Sequence, residues 1–408
     1  MGLGSVQRIL KRLGRIRSNL IQNRQTIVCS TSIYKVDGFS NFSKIGEISG
    51  LKVIDNETLE IHFATPFRMA LEHLSGNRFA AYHERDGKFV GTGAYVIKEL
   101  SPKLLRLTPN PYFSDEPKPK SDILLSVIDA ESAVDDLRSG KIDAVGYATG
   151  AQISPDLANA HNLSTIVGED AIHRAIYLNS QHGHFFEKRE YRLALQYLVQ
   201  KYLEQNSMLG NPLYTALDPQ VYLPLQAGRI LESDATSIIE SGKAFVPDLL
   251  RAARATPPVL IETDALSLRA LLKAIGVEIS AKSRVVPRSE IIGLIYKGVE
   301  ADLVPGSFGV ASGDPDGIYH KLGKSGAIAS PMTANAKVER VLEVGRSITD
   351  KGKLDSFYKS VNETILREAP FIHMGFNKAI AIYRNDKIEV SQAVLRRNEG
   401  HLNIFEAK

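Results

Sequence analysis

The chain of 408 residues has no tryptophan and a single cysteine, Cys29. One cysteine cannot close an internal disulfide, and it cannot form a paired-cysteine metal or redox site. Set in Ile27-Val28-Cys29, it reads as a small core residue. Without tryptophan, any aromatic pocket has to be built from Phe and Tyr. No apolar run reaches the roughly 18 residues that a membrane-spanning helix needs. Acidic residues are missing before Asp37, whereas Arg8, Lys11, Arg12, Arg15, Arg17 and Arg24 all precede it. A secretory signal needs a continuous apolar core and a small-residue cleavage site. Here Val6, Ile9, Leu10, Leu13, Ile16 and Leu20 recur at helical spacing between the basic residues. That spacing predicts an amphipathic helix, with its apolar stripe on a domain and its basic face in solvent.

What is present describes a globular chain. Hydrophobic residues make up 43% and charged residues 24%, enough for a sizeable core spread over two or three lobes. The net charge of +4 is too mild to argue for nucleic acid. Strand and helix patterns alternate. Ile48 to Phe63 reads as a hairpin, and Tyr95 to Leu100 as a strand with Leu104 to Thr108 as its partner. Ile123 to Ile128 reads as a buried strand, followed by a helix ending at Ser139-Gly140 and a strand at Ile142 to Val145. These form one βαβ unit. A second runs from Pro257-Glu262 through a helix at Leu266 to Ile275 to Val277-Ile279. The pattern is α/β, and two α/β lobes with loop-rich ends suit ligand binding. Gly91-Thr92-Gly93 is no dinucleotide fingerprint, because a strand follows where a helix is required.

The stretch Ser307-Phe308-Gly309-Val310-Ala311-Ser312-Gly313-Asp314-Pro315-Asp316-Gly317 carries the most chemical information. Glycines flank two carboxylates separated by a proline, which stiffens the turn. A short strand, Ala301 to Val304, precedes it, and a new element begins at Ile318-Tyr319-His320. A carboxylate turn at a strand end can hold a positively charged group. It is not a calcium loop, because the twelfth position is Ser325. His182-Gly183-His184 lacks spaced acidic or thiol partners for a metal. No G-x-S-x-G elbow appears.

Taken in order, the motifs resemble the extracellular solute-binding proteins of family 5, which serve ABC importers of peptides and nickel. Gly91-Thr92-Gly93-Ala94-Tyr95 is similar to the family's G-T-G-P-Y, and Leu107 to Phe113 to its N-P-D-Y-W run. Ser132 to Asp143 resembles its helix ending in L-x-S-G-E-I-D. Tyr177-Leu178-Asn179 with Phe186 and Arg189 to Leu198 resembles its F-N…P-F…R-x-A-L segment. Leu271 to Ile279 is similar to L-x-x-x-G-I-x-V, the opening turn to D-P-D, and Leu366 to Ile372 to D-A-P-x-I-P. The seven cover Ile48 to Phe376. The family's tryptophan before D-P-D is replaced, with Phe308 or Val310 nearby.

The resemblance implies a two-lobed periplasmic-binding-protein-like fold (type II, peptide-binding class) whose lobes are joined by crossing strands. Residues 1–173 would form lobe I, 174–376 lobe II, and 377–408 a return to lobe I. It places Val6 to Asn19 on a helix well inside the first lobe, so lobe I is expected to be incomplete. It implies a non-enzymatic receptor, in the periplasm or cell envelope, that closes on a peptide or similar small solute and hands it to an ABC permease. No cofactor, metal or nucleic acid is expected, and the chain is expected to be a monomer. The ligand candidates are Asp314, favoured as the anchor for a peptide ammonium, then Asp316, Phe308, Tyr95 and Asn179. Two other readings stand beside it: a ligand-sensing module of a transcriptional regulator, and a degenerate remnant of a transport protein. The basic N-terminal segment lacks a second helix and turn, so it is no helix-turn-helix.

Overall fold

The computed structural model describes residues 48–54, 58–63, 82–85, 88–91, 93–113, 118–128, 132–146, 162–206, 215–224, 226–263, 267–297, 300–309, 314–324, 326, 329–348, 350–390 and 405–407. The N-terminal amphipathic segment and Cys29 lie outside them.

The first described elements are small antiparallel units. β1 (Ile48–Val53) pairs with β2 (Leu59–Phe63), the expected hairpin, and β3 (Tyr82–Arg85) pairs with β4 (Lys88–Gly91). β5 (Tyr95–Leu100), β6 (Leu104–Pro109) and β7 (Ile123–Ser126) form a three-stranded sheet. Cross-strand pairing puts Ile97, Leu107 and Ile123 in one row, and Leu100, Leu105 and Leu125 in the next on the same face. Much of that face stays in contact with solvent: Ile97 is 61% exposed and Leu100 72%. The expected burial of the third strand is therefore incorrect. Leu124 and Val127 are exposed too, because among the described residues no element covers β7.

α1 (Ala133–Arg138) ends at Gly140, whose φ of +75° suits the residue after a helix. The next strand, β8 (Ala144–Gly146), does not return to the sheet of β7. It pairs antiparallel with the strand Phe371–Arg384 instead. The expected βαβ unit is thus two strands of different sheets joined by a short helix. Local patterning marks strands and helices but cannot assign them to sheets.

The longest described strand is β9 (Leu163–Leu178), 16 residues, which takes in Tyr177-Leu178 of the family motif. After it come α2 (Arg189–Asn206), β10 (Thr215–Leu217), α3 (Glu232–Glu240) and α4 (Val246–Ala255). β11 (Ile261–Glu262), α5 (Arg269–Ala274) and β12 (Arg284–Val285) form the second crossover unit. Its parallel partner strand is β12, not Val277-Glu278-Ile279, which lies in coil between them. α6 (Arg288–Lys297) leads to β13 (Leu303–Gly309), which runs well into the stretch read as a turn. A 3-10 turn at Pro315–Ile318, α7 (Tyr319–Leu322), α8 (Ala336–Arg346) and α9 (Lys351–Glu368) follow. β14 (Phe371–Arg384) unites two segments that the sequence separates, and β15 (Ile388–Val390) pairs with β16 (Phe405–Ala407).

β9 and β14 run antiparallel from Tyr177/Phe371 to Leu163/Arg384. At one end β13 flanks β9 and β10 flanks β14; at the other end β8 joins β14. β13 leaves β9 at Ile172, and β10 leaves β14 at Asn377. Between the flanked ends, among the described residues, the strands that run on are β9 and β14, and this stretch is called the waist. β14 has two irregularities, one at Lys378/Ile380 inside this waist and one at His373/Gly375 in the flanked part beside it. Bulges there twist a ribbon locally and interrupt its ladder.

The wide end is closed on both faces. On one, Ile176, Leu178, Leu303 and Ile372 pack against Ala194, Leu195, Val199 and Leu203 of α2. On the other, Ala175, Tyr177, Val304, Phe308 and Phe371 pack against Tyr319, Met332, Leu342, Tyr358 and Ile365. Fully burying a side chain of this size is worth about 1.5–3 kcal/mol, so this end carries most of the described core.

Candidate functional site

Rows on the second face run toward the waist. Tyr177 lies between Val304 and Phe371, then Ala175 between Gly306 and His373, then His173 between Phe308 and Phe376. The middle row is small for a reason. A Cβ on Gly306 would lie 2.6 Å from the Tyr177 ring, so the glycine makes room for an aromatic. The last row forms the rim where the sheet narrows. His173 stacks face to face on Phe308, with centroids 4.5 Å apart, and meets Phe376 edge-on at 4.8 Å.

The rim is polar inside its aromatic shell. His173 Nδ1 lies 3.1 Å from His373 Nε2, and His373 Nδ1 lies 2.6 Å from the Asp218 carbonyl oxygen. Burial pushes both imidazoles down, His173 well below its ordinary value and His373 to about 3, so both are neutral at ordinary pH. Asp218 in turn binds Arg229 through its carboxylate at 2.7 Å. One row deeper, Lys321 of α7 is almost wholly buried. Its ammonium nitrogen lies 4.2 Å from the centre of the Tyr177 ring, 5.5 Å from Phe308 and 5.6 Å from Tyr296. Burial pushes this lysine down to about 7, against an ordinary 10.5. Aromatic faces offset part of the cost of burying the cation.

The sequence candidates are distributed unevenly around this rim. Phe308 is on it. Asp314 is the first described residue after β13. It is half-buried and caps the 3-10 turn, its Oδ1 accepting the amide of Asp316 at 2.8 Å. Asp316 points into the interior. Its carboxylate accepts the Tyr358 hydroxyl at 3.1 Å and lies 3.6 Å from Arg346, which stacks on Tyr319. Asn179 is fully buried and holds the end of β9, donating to the Ala301 carbonyl and accepting the Gln181 amide. Tyr95 starts β5, opposite Pro109 in the three-stranded sheet. The structure thus puts Phe308 on the rim, leaves the Asp314 turn a few residues further along the chain, and commits Asp316 and Asn179 to local structure. His182 pairs with Glu187 and His184 with Asp302, two separate contacts. Among the described residues, no group of three His, Cys, Asp or Glu side chains is placed to hold a metal ion.

His173, His373, Phe376 and Lys321 were not singled out by the sequence reading. The available signal was polarity at an apolar phase. His173 and His373 alternate with Ala175, Tyr177 and Phe371 on an inward face, and Lys321 follows Ile318 and Tyr319 toward Leu322.

Residues 30–329 match the model for the bacterial extracellular solute-binding proteins, family 5 (middle). The chain belongs to this family. Solved structures similar to this solute-binding protein agree on its architecture. The periplasmic binding protein DppA of Helicobacter pylori, in complex with the peptide STSA, superposes with a TM-score of 0.72 at 15% identity over 99% of this chain and 81% of that one. AgaA of Agrobacterium tumefaciens R10, in complex with agropinic acid, gives 0.72 at 14% identity over 93% and 82%. NikA of Staphylococcus aureus, in complex with Ni(L-His)2, gives 0.68 at 18% identity over 94% and 84%. No curated protein matches the sequence. The fold is the two-lobed one of periplasmic binding proteins, as the resemblance implies.

Proposed function

We propose that this solute-binding protein captures peptides, or a similar small solute with amine and carboxylate groups, in a cleft at the sheet waist, and delivers them to the permease of an ABC importer. The carrying observation is the waist. Among the described residues, β9 and β14 are the strands that continue past it, an aromatic–imidazole rim stands at its edge, and the Asp314 turn follows the rim residue Phe308 in the chain. Such a ribbon suits hinge closure, in which the ligand favours the closed form by touching both lobes. Lobe I would comprise residues 1–173 and 377–408, and lobe II residues 174–376. The solutes in the structures named above (a peptide, an opine and a histidine chelate) support this ligand chemistry. Asp314 is the proposed anchor for a ligand ammonium, preferred over Asp316, whose carboxylate is engaged by Tyr358 and Arg346. Phe308 would form an apolar wall. The protein would work as a monomer in the cell envelope, and its role needs no chemical step.

Native mass spectrometry of the chain with a mixed library of free-amine peptides tests this. Bound peptide masses are expected, with Asp314→Ala weakening their uptake about tenfold or more, the cost of losing a charged hydrogen bond. A folded chain that takes up no peptide overturns the reading. Uptake unchanged in Asp314→Ala removes Asp314 as the anchor.

A further inference from the structure

The hydrogen bonds at the rim fix which nitrogen of His173 carries a proton. A carbonyl oxygen only accepts, so His373 Nδ1 donates to Asp218. His373 is neutral, so its Nε2 is bare and accepts. His173 Nδ1, facing it at 3.1 Å, must then be the donor. His173 is neutral as well, which leaves its Nε2 as a bare lone pair. Among the described residues no hydrogen bond passes through that atom, and the residue is 3% exposed at the edge of the described sheet. The ring cannot turn to hide it. Phe308 stacks on one face, Phe376 abuts the ring, and β13 and β14 fix the backbone on both sides.

From this we infer that His173 Nε2 is a ligand-reading atom: an obligate hydrogen-bond acceptor at the waist that selects solutes presenting an N–H or ammonium donor. The inference rests on the proposed reading of the waist as the solute cleft. The Asp218 carbonyl acts two residues away from the solute. It sets the tautomer of His373, which sets that of His173, and the strands of the waist thereby present an acceptor where a free imidazole could offer either role. His173 binds the solute, and His373 and Asp218 are positioning residues.

The test uses the full chain with 15N-labelled histidine. Of its ten histidines, His173 and His373 are expected to show the neutral Nδ1–H tautomer. Saturation with a free-amine peptide captured from the library should shift the His173 Nε2 resonance, assigned by its loss in His173→Phe. That variant keeps a stacked ring on Phe308 and is expected to bind the same peptide about tenfold or more weakly. An Nε2–H tautomer at His173 overturns the inference. So does unchanged affinity in His173→Phe, which leaves peptide capture itself standing. Should the variant fail to fold, the tautomer and the ligand-induced shift in the unaltered chain decide. An unaltered chain that captures no peptide sinks the cleft reading and the role of His173 together.

Discussion

The central sheet and the three-stranded sheet are built from similar residues and end in opposite conditions. Ile176, Leu178, Leu303 and Ile372 of the first are fully buried between helices on both faces. Ile97, Leu100 and Leu125 of the second line up as neatly across their strands, yet remain exposed. Apolar composition therefore does not decide where the stability lies; coverage does. The histidine pair and Lys321 sit in the well-covered sheet, where a polar group is most costly to hold. Groups kept at such a cost, at the rim of a waist, are where function is to be sought.

The comparison can be broken by direct substitution. Ile176→Ala should cost about 2–5 kcal/mol, seen as a lower urea midpoint with an unchanged slope, because the closed helix–sheet packing cannot collapse into the space. Lys321→Met sharpens it from the polar side. The lysine's folded value of about 7 lies below its ordinary 10.5, so the unfolded chain holds the extra proton. Stability is thus lost as pH falls from about 10.5 toward 7, on the order of 4 kcal/mol at 1.36 kcal/mol per unit. Methionine keeps the volume and removes the charge. Melting temperatures at pH 7 and 9.5 should show the variant more stable at pH 7 and less dependent on pH. A wild type with no rise in stability between these pH values would contradict the buried-lysine account. The smallest effect belongs to the open sheet. Leu100→Ala should change stability by no more than about 0.5 kcal/mol, and a loss comparable to that of Ile176→Ala would mean that this face is covered in solution.

The same contrast does not decide what was legible in the sequence. Strands were readable from local patterning both where they are buried, as at Ala301 to Val304, and where they are exposed, as at Tyr95 to Leu100. They were not readable through the waist. Gly168-Glu169-Asp170 in β9 and Asn377-Lys378 in β14 resemble turns; Asn377 and Lys378 pair with Ile172 and Ala171, and Gly168 to Asp170 fall in the register shift before Val167 pairs with Ile380. The apolar run Ile123-Leu124-Leu125 misled in the opposite direction, since hydrophobicity records what could be buried rather than what is. At the candidate site the Asp-Pro-Asp turn was legible from proline and glycine alone. The separation of Asp314 from Asp316 was not, because it depends on Tyr358 and Arg346, which are distant in sequence. The histidine relay joins residues 200 positions apart and leaves no local trace.

The waist also has a mechanical consequence. A ribbon two strands wide is stiff along its backbones and compliant in torsion. On the proposed lobe assignment, the lobes on either side would swivel through a large angle while their separation barely changes, which a loose tether would not allow. The register shift inside the ribbon would then be the point about which they turn, so residues that govern the range of opening need never touch the solute.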